Sequence, residues 1–158
     1  MGEGLVFERL VALLEQNHAR FRIIEHPAEG RSDIVAALRG TQPGQGAKAM
    51  LCRSEGVYVL AVLPGDRKVD FKKVAQVAGK RKATLATPEE AMQQTGCAIG
   101  AIPPFSFSER ITLAVDPALI ENHAEIAFNA GRLDRSMVLD AQDYLRIAKP
   151  ALAPLSAA

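Results

Sequence analysis

Two apolar runs, Lys48 to Arg53 and Val57 to Leu63, stand either side of Ser54-Glu55-Gly56. Runs of this length bounded by a short polar, glycine-bearing connection read as a β-hairpin of buried strands. Strands that apolar need covering, so the rest of the chain must supply layers around them.

The flanking segments supply helices. Val6, Leu10, Leu13 and Leu14 recur at helical spacing between Leu5 and Gln16. Phe21 to Glu25 is a short β-branched run ended by His26-Pro27. Ser32 is expected to cap a helix through Leu38, closed by Gly40, with Thr41 to Gly46 a polar loop. Asp70 to Ala78 reads as a helix closed by Gly79. Thr87-Pro88-Glu89-Glu90 is a capping box with proline at the first helical position, opening a helix that ends near Gly96. Ile111 to Val115 and Glu125 to Phe128 read as strands around a turn at Pro117 to Leu119. Asp140 caps a last helix to Ala148, stopped by Lys149-Pro150, and Ala151 to Ala158 has little to order it. The expectation is one mixed α/β (α+β) domain over residues 1–150, a curved sheet partly wrapped by helices, with a flexible tail at 151–158.

The 158 residues are 48% apolar, enough to bury a core without staples. Nineteen basic and eighteen acidic side chains leave a net charge of +1, so nucleic-acid contact must come from a local patch. One exists: Arg67, Lys68, Lys72, Lys73, Lys80, Arg81 and Lys82 face only Asp66 and Asp70. It is either a phosphate-binding face or a solvated helix side. Cys52 and Cys97 form no Cys-x-x-Cys pair and suit a reducing compartment. The start of the chain lacks a basic region leading into an apolar stretch, and no apolar run reaches membrane-spanning length. A soluble cytoplasmic protein is expected.

Chemistry concentrates at Gly96-Cys97-Ala98-Ile99-Gly100-Ala101-Ile102-Pro103-Pro104-Phe105. Glycines let backbone amides approach a ligand, and the proline pair stiffens the exit of the loop. Such a loop can aim N–H groups at a carbonyl or phosphate oxygen. As a plain helix-to-strand connection, Gly96 would be a C-cap, leaving Gly100 and the prolines unexplained. Lys48 is either an edge charge guarding a strand or an ammonium turned into a cleft towards a phosphate or ester oxygen. Phe128-Asn129-Ala130-Gly131-Arg132-Leu133-Asp134-Arg135-Ser136 reads as a turn after a strand, either self-bonded or facing a ligand. His18, His26 and His123 lack metal-ligand spacing, and no nucleophile elbow, Walker or dinucleotide pattern occurs. No metal or cofactor is expected, and no serine–histidine nucleophile. Hydrolysis would rest on a positioned water and electrostatic stabilisation.

Gly96-x-x-x-Gly100-x-x-Pro103-Pro104 resembles the signature of the YbaK/YeaK family, aminoacyl-tRNA deacylases related to the editing domain of bacterial prolyl-tRNA synthetases. His26-Pro27 after an early strand, Lys48 at the hairpin start, and Phe128 to Gly131 with Asp134 and Ser136 fall in the family's order, over roughly Leu5 to Ile147. Asp140-x-x-Asp143-Tyr144-Leu145-Arg146-Ile147 looks like the YeaK subgroup. The resemblance implies a partly barrel-like mixed sheet surrounded by helices. It implies a freestanding trans-editing enzyme that hydrolyses the ester between a wrong small amino acid (alanine, serine or threonine) and a tRNA's terminal adenosine. By the same resemblance Lys48 anchors the 3′ end, and the loop from Gly96 through Gly100 holds the carbonyl. Met50, Ala98, Ile99, Ala101 and Ile102 are expected to bound a small pocket, with Pro103, Pro104, His26, Asn129, Gly131, Asp134 and Ser136 as further substrate-binding residues. Lys68, Lys72, Lys73, Lys80, Arg81 and Lys82 would meet the acceptor stem, on charge alone. Mischarged tRNA is the expected partner and a synthetase a second candidate; membrane and DNA are not. Two other classes stand beside this: a non-catalytic module binding the aminoacyl or tRNA end, and a small-molecule esterase indifferent to RNA.

Overall fold

The computed structural model describes residues 4–158. The hairpin forms as expected: β2 (Ala47–Ser54) and β3 (Val57–Pro64) pair antiparallel from Ala47↔Pro64 to Ser54↔Val57. β3 is buried from Val59 onward. It also pairs parallel with β5 (Ile111–Val115), which pairs parallel with the two-residue β8 (Ala151–Leu152). β4 (Thr84–Leu85) adds to the far end of β2, giving the order β4-β2-β3-β5-β8.

A second, antiparallel sheet has the order β1-β7-β6, from β1 (Phe21–Glu25), β7 (Arg135–Asp140) and β6 (Glu125–Arg132). One parallel bridge, Gly46 to Ala127, links the sheets. They curve together around the main core without closing into a barrel. That core includes Leu10 and Leu14 of α1 (Leu5–Gln16), Leu60, Val62, Phe128, Met137 and Tyr144 of α6 (Ala141–Ala148). A smaller cluster under α3 (Phe71–Ala78) joins Cys52, Val59, Val74 and Leu155 on the other face of the larger sheet.

The caps follow the sequence where polar side chains sit at helix starts. Thr87 Oγ1 accepts from the Glu90 amide at 3.1 Å and Glu90 answers at the Thr87 amide, opening α4 (Pro88–Thr95). Asp116 caps the short helix α5 (Pro117–Glu121), where only a turn was expected.

Three expectations need correction. Ser32 does not cap α2 (Ser32–Arg39) but is its first residue; Arg31 holds the cap position, and Glu29 Oε2 accepts from the Gly30 and Arg31 amides instead. The segment read as one turn is strand, bulge, a two-residue turn at Leu133-Asp134, and strand. β6 continues through Asn129 to Arg132, with an irregularity between those residues, and β7 starts at Arg135. Asn129 to Gly131 thus serve a bulge, and only Leu133-Asp134 makes the turn. The tail is not loose: β8 pairs with β5, Leu155 is fully buried, and Asp116 Oδ2 accepts from the amides of Leu155 and Ser156 and from the Ser156 hydroxyl.

Candidate active site

A cleft opens where the start of β2, the first turns of α2 and the loop after α4 meet. It has two lobes sharing Gly30, Ser32, Lys48, Ala49, Gly100 and Ile102. The smaller lobe, about 50 Å³, adds Val35, Arg39 and Asn129. The larger, about 150 Å³, is mostly apolar and adds Met50, Leu51, Leu85, Ala86, Ala91 and Ile99. A wider groove of about 640 Å³ between α1 and residues 105–109 holds none of the residues expected at the site.

Gly100 sits where a side chain cannot. Its φ is +90°, and a Cβ there would lie 3.0 Å from Gly30 Cα. Two loops thus touch backbone to backbone. Among the described residues the amides of Gly100 and Ile102 take no intramolecular acceptor, whereas the neighbouring Ala101 amide bonds to Ala98 O. Two free N–H groups on a cleft wall are the donors an oxyanion needs.

Asn129 fixes this wall. Its Nδ2 donates to Gly100 O and to Glu29 O, both at 2.8 Å. Its Oδ1 lies 3.1 Å from Arg39 Nη2 and 3.0 Å from the Ser136 hydroxyl. Arg39 Nε also donates to Ser136 Oγ at 2.7 Å. Burial pulls the Arg39 guanidinium down to about 10. His26 Nδ1 lies 2.8 Å from Pro27 O, which only accepts, so that nitrogen carries a proton. Its Nε2 lies 2.7 Å from Ser136 Oγ. The single Ser136 proton therefore serves either His26 or Asn129 Oδ1. A serine–histidine pair does exist, contrary to expectation. Ser136 is fully buried and lines neither lobe, so the pair braces Asn129 rather than attacking a substrate.

Lys48 is half-buried and lines both lobes, and its ammonium donates to Arg67 O at the cleft edge. Burial lowers its pKa and nearby Asp66 partly restores it. One of three ammonium hydrogens is committed, which leaves two for a ligand.

Lys48, Met50, Ile99, Gly100, Ile102 and Asn129 thus share the cleft, with His26 and Ser136 behind it. The others stand apart. Gly96 is the C-cap of α4 at φ 74° and lines neither lobe. Ala101 is buried, and its carbonyl takes the Gly131 amide. Pro103 faces a separate apolar groove, and Pro104 O accepts from the buried Tyr144 hydroxyl at 2.6 Å. Asp134 is held by Arg132 at 2.8 Å, and its carbonyl accepts from the His26 amide, pinning the β6–β7 hairpin to the 26–31 loop. These residues hold the loop from behind. Among the cleft residues that escaped the sequence reading are Ser32, Val35 and Arg39, at positions i, i+3 and i+7 of one face of α2. That spacing was the available signal.

Residues 26–147 match the aminoacyl-tRNA editing domain family. The chain belongs to this family. It is 48% identical to the multifunctional Ser/Thr-tRNA deacylase ProXp-y of Escherichia coli K12, over 96% of this chain and 94% of that one. It is 33% identical to a proline–tRNA ligase of Geobacillus thermodenitrificans, over 54% of this chain but only 15% of the ligase. Among solved structures, a candidate trans-editing enzyme for prolyl-tRNA synthetase superposes with a TM-score of 0.83 at 24% identity, covering 98% of both chains. The hypothetical protein APE2540 superposes at 0.85 with 20% identity, over 94% of this chain and 99% of that one. The two-sheet arrangement is therefore the editing-domain fold.

Proposed function

We propose that the protein is a freestanding trans-editing deacylase that hydrolyses the ester of a tRNA mischarged with serine, threonine or alanine. The observation that carries this is the meeting of Lys48 with the free amides of Gly100 and Ile102 on one small cleft. A relative 48% identical along nearly the whole chain and named a Ser/Thr-tRNA deacylase supports it.

An aminoacyl ester is already activated, so a polarised carbonyl and an oriented water suffice. The carbonyl oxygen is received by the Gly100 and Ile102 amides, each such donor contributing on the order of 10²–10³ in rate. Lys48 anchors the ribose–phosphate end with its two uncommitted hydrogens. Water adds to the carbonyl carbon, the bond to the ribose oxygen breaks, and that oxygen leaves with a proton from the water. Free amino acid and tRNA result. The apolar lobe of about 150 Å³ takes the side chain and limits its size. Such a second sieve is needed because a synthetase pocket gains only about 1–3 kcal/mol against a side chain one methylene smaller.

Of the lysines and arginine expected at an acceptor stem, exposed Lys68 and Lys72 stand at the same end of the basic segment as Arg67, whose carbonyl takes the Lys48 ammonium. A synthetase that makes the charging error is the second partner in this reading. The free cysteines, both buried, fit work in the cytoplasm.

Purified protein mixed with tRNAs charged with serine, threonine, alanine and cognate amino acids tests the reading. Loss of label from the small mischarged esters, reduced at least 100-fold by Lys48→Ala, is the expected result. Binding without label loss identifies a non-catalytic module instead, and equal cleavage of simple esters without RNA identifies an esterase.

A further inference from the structure

Ser32 stands in both lobes of the cleft with a hydroxyl that has no partner among the described residues. A serine at a helix start ordinarily spends that hydroxyl on capping. Here it is released, because Ser32 is one residue inside α2 and the Glu29 carboxylate takes the Gly30 and Arg31 amides. Of the other polar groups of the cleft, the Gly100 and Ile102 amides and two Lys48 hydrogens are donors only, assigned above to the carbonyl and the ribose–phosphate end, and the remaining side-chain donors are committed. Both Asn129 amide hydrogens are used, Arg39 bonds Ser136 and Asn129, and Lys48 bonds Arg67 O. Apart from Ser32 and Lys48, glycine, alanine and larger apolar residues line the apolar lobe.

We infer that Ser32 is a specificity-determining residue: its hydroxyl bonds the side-chain hydroxyl of a seryl or threonyl ester. This rests on the deacylase reading and assigns the amino-acid preference within it. A hydroxyl both donates and accepts, so it suits another hydroxyl in either sense. It offers nothing to a methyl group, so alanyl esters enter the same lobe without that contact. A site built to bond a hydroxyl discriminates against the analogue lacking it.

Deacylation of seryl-, threonyl- and alanyl-tRNA by wild type and Ser32→Ala tests this. The variant is expected to lose at least tenfold in kcat/KM on the seryl and threonyl esters while keeping alanyl activity within about twofold. The alanyl reaction doubles as the control for folding, and alanine at a first helical position leaves α2 intact. A parallel fall on all three esters makes Ser32 structural and overturns the inference, as does an unchanged profile. Wild-type protein inert on all three overturns the deacylase reading and this inference with it. In a second arm, Ser32→Thr keeps the hydroxyl but adds a methyl; retention of seryl preference over alanyl is expected, and its loss counts against the hydrogen bond.

Discussion

Arg39 brings a charge to the back of the cleft, where no carboxylate bonds it among the described residues. Its planar fork spans Ser136 Oγ and Asn129 Oδ1, two acceptors on neighbouring strands, and no lysine ammonium reproduces that span. Asn129 in turn holds the Gly100 carbonyl, so Arg39 acts on the loop two bonds removed. Arg39→Met leaves both acceptors short of a donor and is expected to cost about 2–3 kcal/mol in urea unfolding. Turnover of a mischarged tRNA should fall at least tenfold with a smaller change in KM, because the donors facing the carbonyl lose their brace. Arg39→Lys should recover part of the stability and little of the turnover. A Met variant deacylating at the wild-type rate contradicts the brace.

Among elements, α6 is tied to the segment before β1 by two carboxylates: its cap Asp140, whose Oδ2 accepts from Arg20 Nη2 at 2.9 Å, and Asp143. Asp143 accepts from the Arg20 backbone and from its Nε at 2.9 and 3.1 Å, and from Arg146 at 3.2 Å. The Arg20 side chain, then its backbone amide, hold the Asp143 carboxyl down to about 2. A depressed carboxyl contributes stability above its unfolded pKa of about 3.9 and loses it as pH falls towards 2. Arg20→Ala should therefore unfold at lower urea than wild type at pH 7, and the gap should shrink between about pH 4 and pH 2. A gap that stays constant across that range removes the linkage.

The helices were legible because their boundaries are local: Thr87-Pro88, Asp70, Asp140, Gly40 and Gly79 act within one turn. So was the β2–β3 hairpin, with an apolar run on each side of Glu55-Gly56. β4, β7 and β8 were not, because pairing with distant strands makes them. Thr84-Leu85 and Ala151-Leu152 are too short to carry a period, and Arg135 to Asp140 follows turn-rich residues divided between a bulge and the Leu133-Asp134 turn. At the site, Lys48 and Gly100 were legible through their motif. The division of the loop between a cleft wall at Gly100 and Ile102 and a core anchor at Pro104 was not. It depends on Gly30, Tyr144 and Asn129, which lie far away in sequence.

For the whole molecule, near-neutral charge hides a sided distribution. The basic segment begins at the cleft, where Arg67 O takes the Lys48 ammonium, and α3 then runs back along β2 and β3. Lys80, Arg81 and Lys82 end up at the hairpin turn, where Glu55 accepts from the Arg81 and Lys82 amides. Six residues of β2 separate Lys48 from that turn, about 20 Å at the usual rise per strand residue. Lys73 bonds Ser156 O and holds the tail. Five of the six expected contacts thus form two groups, and if the 3′ end enters the cleft, Lys68 and Lys72, beside Arg67, form the group at its edge. Each phosphate contact removed lowers the slope of log K against log salt by about 0.7–0.9. Lys68→Glu with Lys72→Glu should weaken tRNA binding several-fold at low salt and flatten that slope by about 1.5–2. Lys80→Glu with Lys82→Glu should change the slope by less than half as much. Cleavage of a short aminoacylated fragment containing only the 3′ end should be insensitive to both pairs, because such a fragment reaches Lys48 without crossing α3. If the far pair dominates the salt slope, the stem lies along the hairpin and Lys68 and Lys72 are bystanders.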